Sequence, residues 1–581
     1  MSRILYLAII LALPPVASAA EAVIRVERPM APPGWALAER ALLEAYGEAA
    51  EEFAAKYLDD RGFLRCVERW GGNDGPDDAM ENFNNWTLMY ALGGPESLLE
   101  IYRKAWEGHL VQYTKARAPS VEMAREGMYY KEFVTSFDWE HNGEGLAAFH
   151  LYSLACPGDP AYQQRVRRFS GFYMNEDPEA PNYDPKLRII RSLHNGSRGP
   201  KLTDAKPVDW GGEPVAGHPE RLDRYSTAAN IRGDHPLNLC ATTLAMNAYM
   251  LTGEKKYRDW VLEYSAAWRD RVMANGGNIP TNIGLDGRIG GEWNGKWYGG
   301  TFGWNFWPRE SGRNYYIRGP RIAFGEAFML TGDAGYVEPL RRQIANLYAA
   351  GRVENGRILL PNKHGDNGWY GYTPNQQFDV QRDLYLWSMN PADMEHIARD
   401  PWIAYLAGKN PAYPETALRA EFEHLRRQVR NIREDPGTPD TRAADDPQPN
   451  NPISTGTLVG LMLGGNDPGT SGNILHARVR FFDPARRRAG LPPDVAALVE
   501  RIAIDQVVLT VVNTNPVHAR KVTVQAGAYG EHQCTAVAGG GQTVKVDDRH
   551  FTVELAPGSG DTLTVYMNRY ANQPALGMPW Q

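Results

Sequence analysis

One pattern recurs five times along this chain and restricts its fold more than anything else in the sequence. A short helical stretch with small and apolar residues on most sides is followed by a turn, usually with Gly, and then by a longer amphipathic helix. It is read at 85–94 with 96–110, at 145–154 with 161–173, at 242–251 with 256–269, and at 321–330 with 336–348. A fifth copy pairs 381–389 with 415–429 across an interrupted stretch. A helix that is apolar all round belongs inside, and one with a single wet face belongs outside.

Such hairpins cannot bury themselves alone and must stack side by side. Helices expected at 36–57 (amphipathic) and 454–465 (the inner kind) supply a sixth pair. The expected fold class is therefore mainly α, an (α/α)6 toroid (six-hairpin barrel) over residues 36–465. The turn-and-helix pieces Leu251-Thr252-Gly253-Glu254-Lys255-Lys256-Tyr257 and Leu330-Thr331-Gly332-Asp333 resemble those of the six-hairpin glycosidase-like superfamily, which includes unsaturated uronyl hydrolases and related toroidal polysaccharide lyases. The resemblance implies a carbohydrate-active toroid with an accessory β-domain behind it. It carries over no complete catalytic motif.

After residue 475 the pattern changes to short β-branched runs at 477–481, 505–512, 521–527, 542–546, 550–555 and 561–566, separated by Asn, Gly, Pro and Asp. They predict a small C-terminal β-sandwich over 475–570, read as packing support. The Pro- and Asp-rich stretch 435–452 reads as an exposed loop rather than a calcium site.

The N-terminus, Met1-Ser2-Arg3 followed by an apolar run to Leu13 and Ala17-Ser18-Ala19, has the layout of a secretory signal over 1–19. It predicts a secreted or periplasmic protein. The apolar run is shorter than the ~20 residues a spanning helix needs, so no membrane span is expected. A net charge of −7 gives no general basic field, which argues against nucleic acid as a partner. Cys66, Cys156, Cys240 and Cys534 lack metal-ligand spacing, and buried thiols are favoured over disulfides.

In a toroid the inner helices aim their N-termini at one mouth, so residues just before each inner helix converge there. The first such cluster holds Glu81, Asn82, Asn84 and Asn85, expected to bind substrate. The second holds Tyr129, Tyr130, Asp138, Glu140, His141 and Glu144. A glycoside hydrolase needs one protonated carboxyl and one ionised carboxylate across a sugar bond. Glu140 ranks first and Asp138 second as the acid, with Glu144 and His141 beside them. The third cluster, Asp234-His235 ahead of Pro236, supplies the expected base, Asp234, and a proton-transfer partner.

Loops between the helices read as substrate walls. Arg191, His194, Asn195 and Arg198 suit a carboxylate or sulfate. The Gly-rich stretch 290–307, with Trp297, Tyr298, Trp304 and Trp307, reads as an aromatic sugar platform; the alternative is a loop packed on its own rings. Arg313, Tyr315, His364 and Trp369 complete the expected substrate contacts, and Gln376-Gln377-Phe378-Asp379 precedes the fifth inner helix.

No phosphate loop, dinucleotide fingerprint, Gly-x-Ser-x-Gly elbow or zinc helix is found, and no cofactor or metal is expected. The favoured reading is a glycoside hydrolase acting on an acidic, uronic-acid-containing oligo- or polysaccharide. A polysaccharide lyase using a Tyr or His base and an Arg, Asn or His neutraliser is the alternative. A non-catalytic glycan-binding scaffold is the third.

Overall fold

The computed structural model of the chain describes residues 22–67, 76–115, 145–176, 178, 182–191, 233–291, 293–299, 304 and 317–580. Most of it up to residue 463 is helical. After α1 (Gly34–Tyr57) and the short α2 (Pro76–Glu81), the helices come in short-long pairs. These are α3 (Trp86–Leu92) with α4 (Glu96–Lys115), α5 (Ala147–Ala155) with α6 (Pro160–Tyr173), and α7 (Thr242–Thr252) with α8 (Lys255–Ala274). Then follow α9 (Arg318–Thr331) with α10 (Glu338–Ala349), and α11 (Phe378–Ser388) with α12 (Pro401–Leu406) and α13 (Tyr413–Glu434). A last short helix, α14 (Gly456–Leu458), runs on as a π-helical turn, Val459–Leu463.

Burial follows the sequence pattern. Every residue of α3 and α5 is buried, whereas α13 buries only Pro414, Leu418, Leu425 and Ile432. The left-handed Gly253 and Gly332 end α7 and α9, as the Thr-Gly turns require of a residue without Cβ.

The C-terminal region is β-rich and forms two five-stranded sheets. One has the order β1 (Val23–Val26), β14 (His550–Leu555), β11 (Arg520–Ala526), β7 (Val479–Asp483), β8 (Arg488–Ala489). The other runs β13 (Gln542–Asp548), β12 (Gln533–Gly539), β15 (Gly560–Asn568), β10 (Gln506–Asn513), β9 (Val495–Ile502). Strands β8 and β12 have no counterpart in the sequence reading, and three further features escape it. Strand β1 joins the far end of the chain, pairing in parallel with β14 from Val23↔Thr552 to Val26↔Leu555. Strand β9 has a continuous apolar run instead of an alternation. The segment before α11 is no simple loop: β4 (Arg352–Glu354), β5 (Arg357–Gly365) and β6 (Gly368–Thr373) form an antiparallel sheet.

The two regions meet in one recurrent way. The last carbonyls of a helix have no partner within it and attract positive charge. Here the C-terminal ends of α3, α5, α7, α9 and α11, and of the π turn, are bonded by groups from residues 478–576. Arg488 donates to Tyr90 O and Gly94 O at α3, and Arg480 to Leu154 O at α5. Leu576 N–H reaches Met250 O at α7, and Gln573 reaches Leu330 O at α9. Arg478 and Arg569 converge on Leu386 O at α11, and Arg478 N–H takes Leu463 O after the π turn. The short helices therefore turn their C-termini toward the sheets and open their N-termini on the opposite face. Burial lowers Arg480 to about 10, which leaves it charged at neutral pH.

The stretch 435–452 departs from the expected exposed loop. Arg442 is buried and donates to Asp435, Gly437 O and Arg65 O, Asn450 donates to Tyr57, and Gln448 to Glu81. None of the four cysteines, all among the described residues, forms a disulfide. Among the described residues no helix is long and apolar enough to cross a membrane.

One buried acid sets a pH dependence. Burial pushes Glu326, on α9, from 4.5 up to about 8, so it is protonated at neutral pH. The stability it contributes is complete below the unfolded-state value of 4.5 and is lost as pH rises through about 8. Glu326→Gln should flatten the fall in melting temperature between about pH 5 and pH 8, where the wild-type slope from this group reaches at most ~1.4 kcal/mol per pH unit. Melting curves that stay parallel across that range would exclude the assignment.

Candidate active site

An acidic group of side chains gathers near the starts of α9, α11 and α14, and the chain leading into α11 carries an aromatic one.

The acidic group is built by residues 464–476, which leave the π turn and run back among the short helices. Gly465 makes this course possible, since a Cβ there would lie 2.3 Å from His476 O. At Gly472, φ is +87° and a Cβ would come within 3.0 Å of the His150 ring on α5. Further on, His476 stacks obliquely on Trp387 of α11, with centroids 4.9 Å apart. Asn466 donates to Asp379 O (3.2 Å) and to the Asp383 carboxylate (2.7 Å) in the first turns of α11. Asp383 is ion-paired with Arg321 of α9.

Asp467, the next residue, accepts from Gly469 N–H at 2.8 Å and from Thr455 Oγ1 at 3.4 Å, just before α14. Burial raises its carboxyl above the usual range, with nearby Asp379 adding to the rise and Arg321 opposing it. Asp379 is exposed, is paired with Arg382, and lies one turn from Asp383 on the same helix face. A carboxyl raised by burial thus lies near the exposed carboxylate of Asp379 and the buried ion pair of Asp383 with Arg321.

The aromatic group joins the loop after α8 to the β5–β6 hairpin. Trp304 is fully buried at its base and donates Nε1–H to Ile279 O. Trp369 packs edge-on against it at 4.9 Å. His364, paired with Trp369 across the hairpin, sits 4.7 Å from Trp297, 4.8 Å from Tyr298 and 4.7 Å from Trp369. Trp297, His364 and Trp369 are each half-buried. At the hairpin tip Asp366 accepts from Lys296 at 2.7 Å and from the Tyr298 hydroxyl, and these two hydrogen bonds, Lys296's first, hold its carboxyl below the usual range.

Several expectations are corrected by this geometry. Asp234, the expected base, is fully enclosed. It accepts from Tyr264, Trp268 Nε1–H, Asn238 and the backbone N–H groups of His235 and Ile190, all within 2.9–3.2 Å. Its acceptor positions are spent on the fold, so it has none left for water or substrate; burial also raises its carboxyl. His235 is buried beside it. Trp304 is core rather than platform, because one face of the loop folds back onto its own rings.

Asn82 is buried too, donating to Asp78 O, Ala79 O and Ala444 O, so it fastens the 435–452 segment instead of meeting substrate. Asn84 is buried with its carbonyl taken by Asn451, which also accepts from Trp86. Asn85 caps α3 in a left-handed conformation, and Glu81 accepts from Gln448. Arg191 is half-buried and its N–H donates to Asn182 O.

Glu140, Asp138, His141, Glu144, Tyr130, Tyr129, His194, Asn195, Arg198, Trp307, Arg313 and Tyr315 lie outside the described residues, as does the signal at 1–19. Asp383, Asp467, Arg321 and Asn466 were missed. The available signal is Asn466-Asp467-Pro468-Gly469, a polar turn directly after a buried apolar stretch, whereas the expected acid and base stand ahead of helix N-termini. Among the described residues, no group of three or more His, Cys, Asp or Glu is arranged to hold a metal ion.

Comparison with known families gives one decisive match, over residues 23–358 and 398–459, which is more than half of the chain. The chain belongs to the family described as "Domain of unknown function (DUF8034)". The DUF8034 match spans the helical pairs from α1 to α10 and resumes at residue 398, leaving out part of the β5–β6 hairpin and all of α11. No curated protein matches the sequence. Among solved structures, the α-1,6-mannanase GH76A of Salegentibacter sp. HEL1_6 is similar at 14% identity and a TM-score of 0.34, over 70% of this chain and 98% of that one. An inactive variant of it in complex with α-1,6-mannotriose is similar at 13% identity and a TM-score of 0.33, over 62% and 88%. Likeness of this degree assigns neither topology nor chemistry to a DUF8034 chain.

Proposed function

We propose that this DUF8034 protein is an exported glycoside hydrolase that cleaves an oligo- or polysaccharide at the N-terminal face of its short helices. In this reading the six pairs close into an (α/α)6 toroid over about 36–465, and the two sheets form a β-sandwich that supports one end of it. The observation that carries the proposal is Asp467: a carboxyl raised by burial, beside the ion pair Asp383–Arg321 and the exposed carboxylate of Asp379. Glycosidic hydrolysis requires two carboxyl groups kept in opposite protonation states.

Asp467 is the general acid that protonates the leaving oxygen. Asp379, open to solvent, is the carboxylate on the water side, and Arg321 with Asn466 fixes Asp383 beneath them. Glu140 and Asp138 belong to the same proposal as carboxyls of the wall ahead of α5. The test is incubation of the purified protein with a panel of neutral and uronate-containing polysaccharides. Release of reducing ends without the ultraviolet absorbance of an unsaturated uronate is expected. That absorbance would establish elimination instead, and binding with no new ends would leave only a glycan-binding scaffold.

A further inference from the structure

We propose that Trp297, His364 and Trp369, continued by Phe378, form a subsite for an uncharged pyranose ring, set beside the carboxylates of α11. This rests on the hydrolase reading above and adds the class of sugar, departing from the uronic-acid substrate expected of the sequence.

The cluster has a closed side and an open side. Trp304 at the base is fully buried, so the rings around it are held by packing. Trp297 and Trp369 each spend part of their surface on that core and remain half-buried. His364 fills the space between them, and its Nδ1 has no hydrogen-bond partner among the described residues. Phe378 begins α11 and is 41% exposed, immediately before Asp379. Aromatic surface left wet at a helix mouth is costly unless something covers it, and the C–H face of a neutral pyranose is a fitting cover.

The polar rim argues for a neutral ring over a uronate. A uronate needs a cation free to meet its carboxylate. Among the described residues of this rim, Lys296 is held by Asp366 at 2.7 Å, Asp366 also takes the Tyr298 hydroxyl, and Lys363 turns its ammonium toward the Tyr370 ring. The Lys296–Asp366 pair can donate to and accept from sugar hydroxyls.

A clamp holds the turn that leads from the hairpin into α11. Tyr348 donates its hydroxyl to Gln376 Oε1 at 3.0 Å, and Gln381 donates to Gln376 O at 2.6 Å and to Tyr348 at 3.3 Å. These bonds lock the turn between β6 and α11, so a sugar held on Trp369 is held in register with Asp379 and Asp383.

The test measures binding by calorimetry on the full chain carrying Asp467→Asn, which removes turnover. Neutral gluco-, xylo- and manno-oligosaccharides are compared with oligogalacturonates. At least one neutral series should bind more tightly than the uronates, and Trp369→Ala and Phe378→Ala should each weaken it about tenfold or more. In the otherwise wild-type enzyme the same changes should raise KM with little change in kcat. Phe378 is exposed, so its variant reports on the subsite even if Trp369→Ala folds poorly. Tighter uronate binding, no binding of any neutral series, or unchanged affinity in Phe378→Ala would overturn the proposal. Binding that both variants weaken, without cleavage of any bound sugar by the wild-type enzyme, keeps the subsite and refutes the hydrolase reading. Cleavage that neither variant alters keeps the hydrolase and refutes the subsite.

Discussion

Asp467→Asn should lower turnover on the cleaved polysaccharide by a factor of ~10³ or more while moving the melting temperature by no more than a few degrees. The amide retains an acceptor for Gly469 N–H and Thr455, which accounts for the intact fold, but it has no proton to give a leaving oxygen. The pH profile supplies the sign. Burial raises the Asp467 carboxyl, so its proton is present below that raised value and activity falls as pH rises through it. The variant's residual activity should lack this alkaline limb. Turnover within tenfold of wild type in Asp467→Asn, with loss in Glu140→Gln, would move the acid to the wall ahead of α5.

Asp234→Ala should be the most destabilising single change in the helical region, costing upwards of ~4 kcal/mol in urea or thermal unfolding. The carboxylate satisfies three side-chain donors, Tyr264, Trp268 and Asn238, and the backbone N–H groups of His235 and Ile190. Removing it strands these donors in a dry interior, each at about 1–3 kcal/mol. It also loosens the loop after α8, because Asp234 and Ile283 exchange backbone hydrogen bonds of 2.8 Å in both directions. Asp234→Asn, which keeps one carbonyl oxygen, should lose less. An unfolding midpoint close to wild type in Asp234→Ala, with activity abolished, would restore Asp234 as the base.

These two aspartates show where reading the sequence succeeds and where it stops. Asp234-His235-Pro236 looked catalytic because acid and imidazole stand together at a helix start, and that start was placed correctly. Whether the carboxylate faces solvent depends on Tyr264 and Trp268, thirty or more residues later on another helix, which local pattern does not reveal. Asp467 stands in the polar turn Asn466-Asp467-Pro468-Gly469 and has no place among the site residues expected from the sequence. Its surroundings come from α9, α11 and the residues ahead of α14, so its burial has no local signature. Trp304 makes the same point among the aromatics: glycine around it foretold a loop but not which face of that loop folds inward.

The sequence by itself determined the helical pairs, which member of each is the more buried, the turns between them and the change to β-structure after residue 475. Each of these follows from hydrophobic period, Gly placement and β-branched composition, which act over a few residues. Only the tertiary structure decided that groups from residues 478–576, arginine side chains at α3, α5 and α11, close the C-terminal ends of the short helices and that the first strand completes a sheet of the last. It alone brought Asp467, Asp383 and Arg321 together and withdrew Asp234 from solvent. Those outcomes depend on the burial of charge and on hydrogen bonds between residues tens to hundreds of positions apart, and a polar residue's type is the same whether it ends in the core or at a mouth.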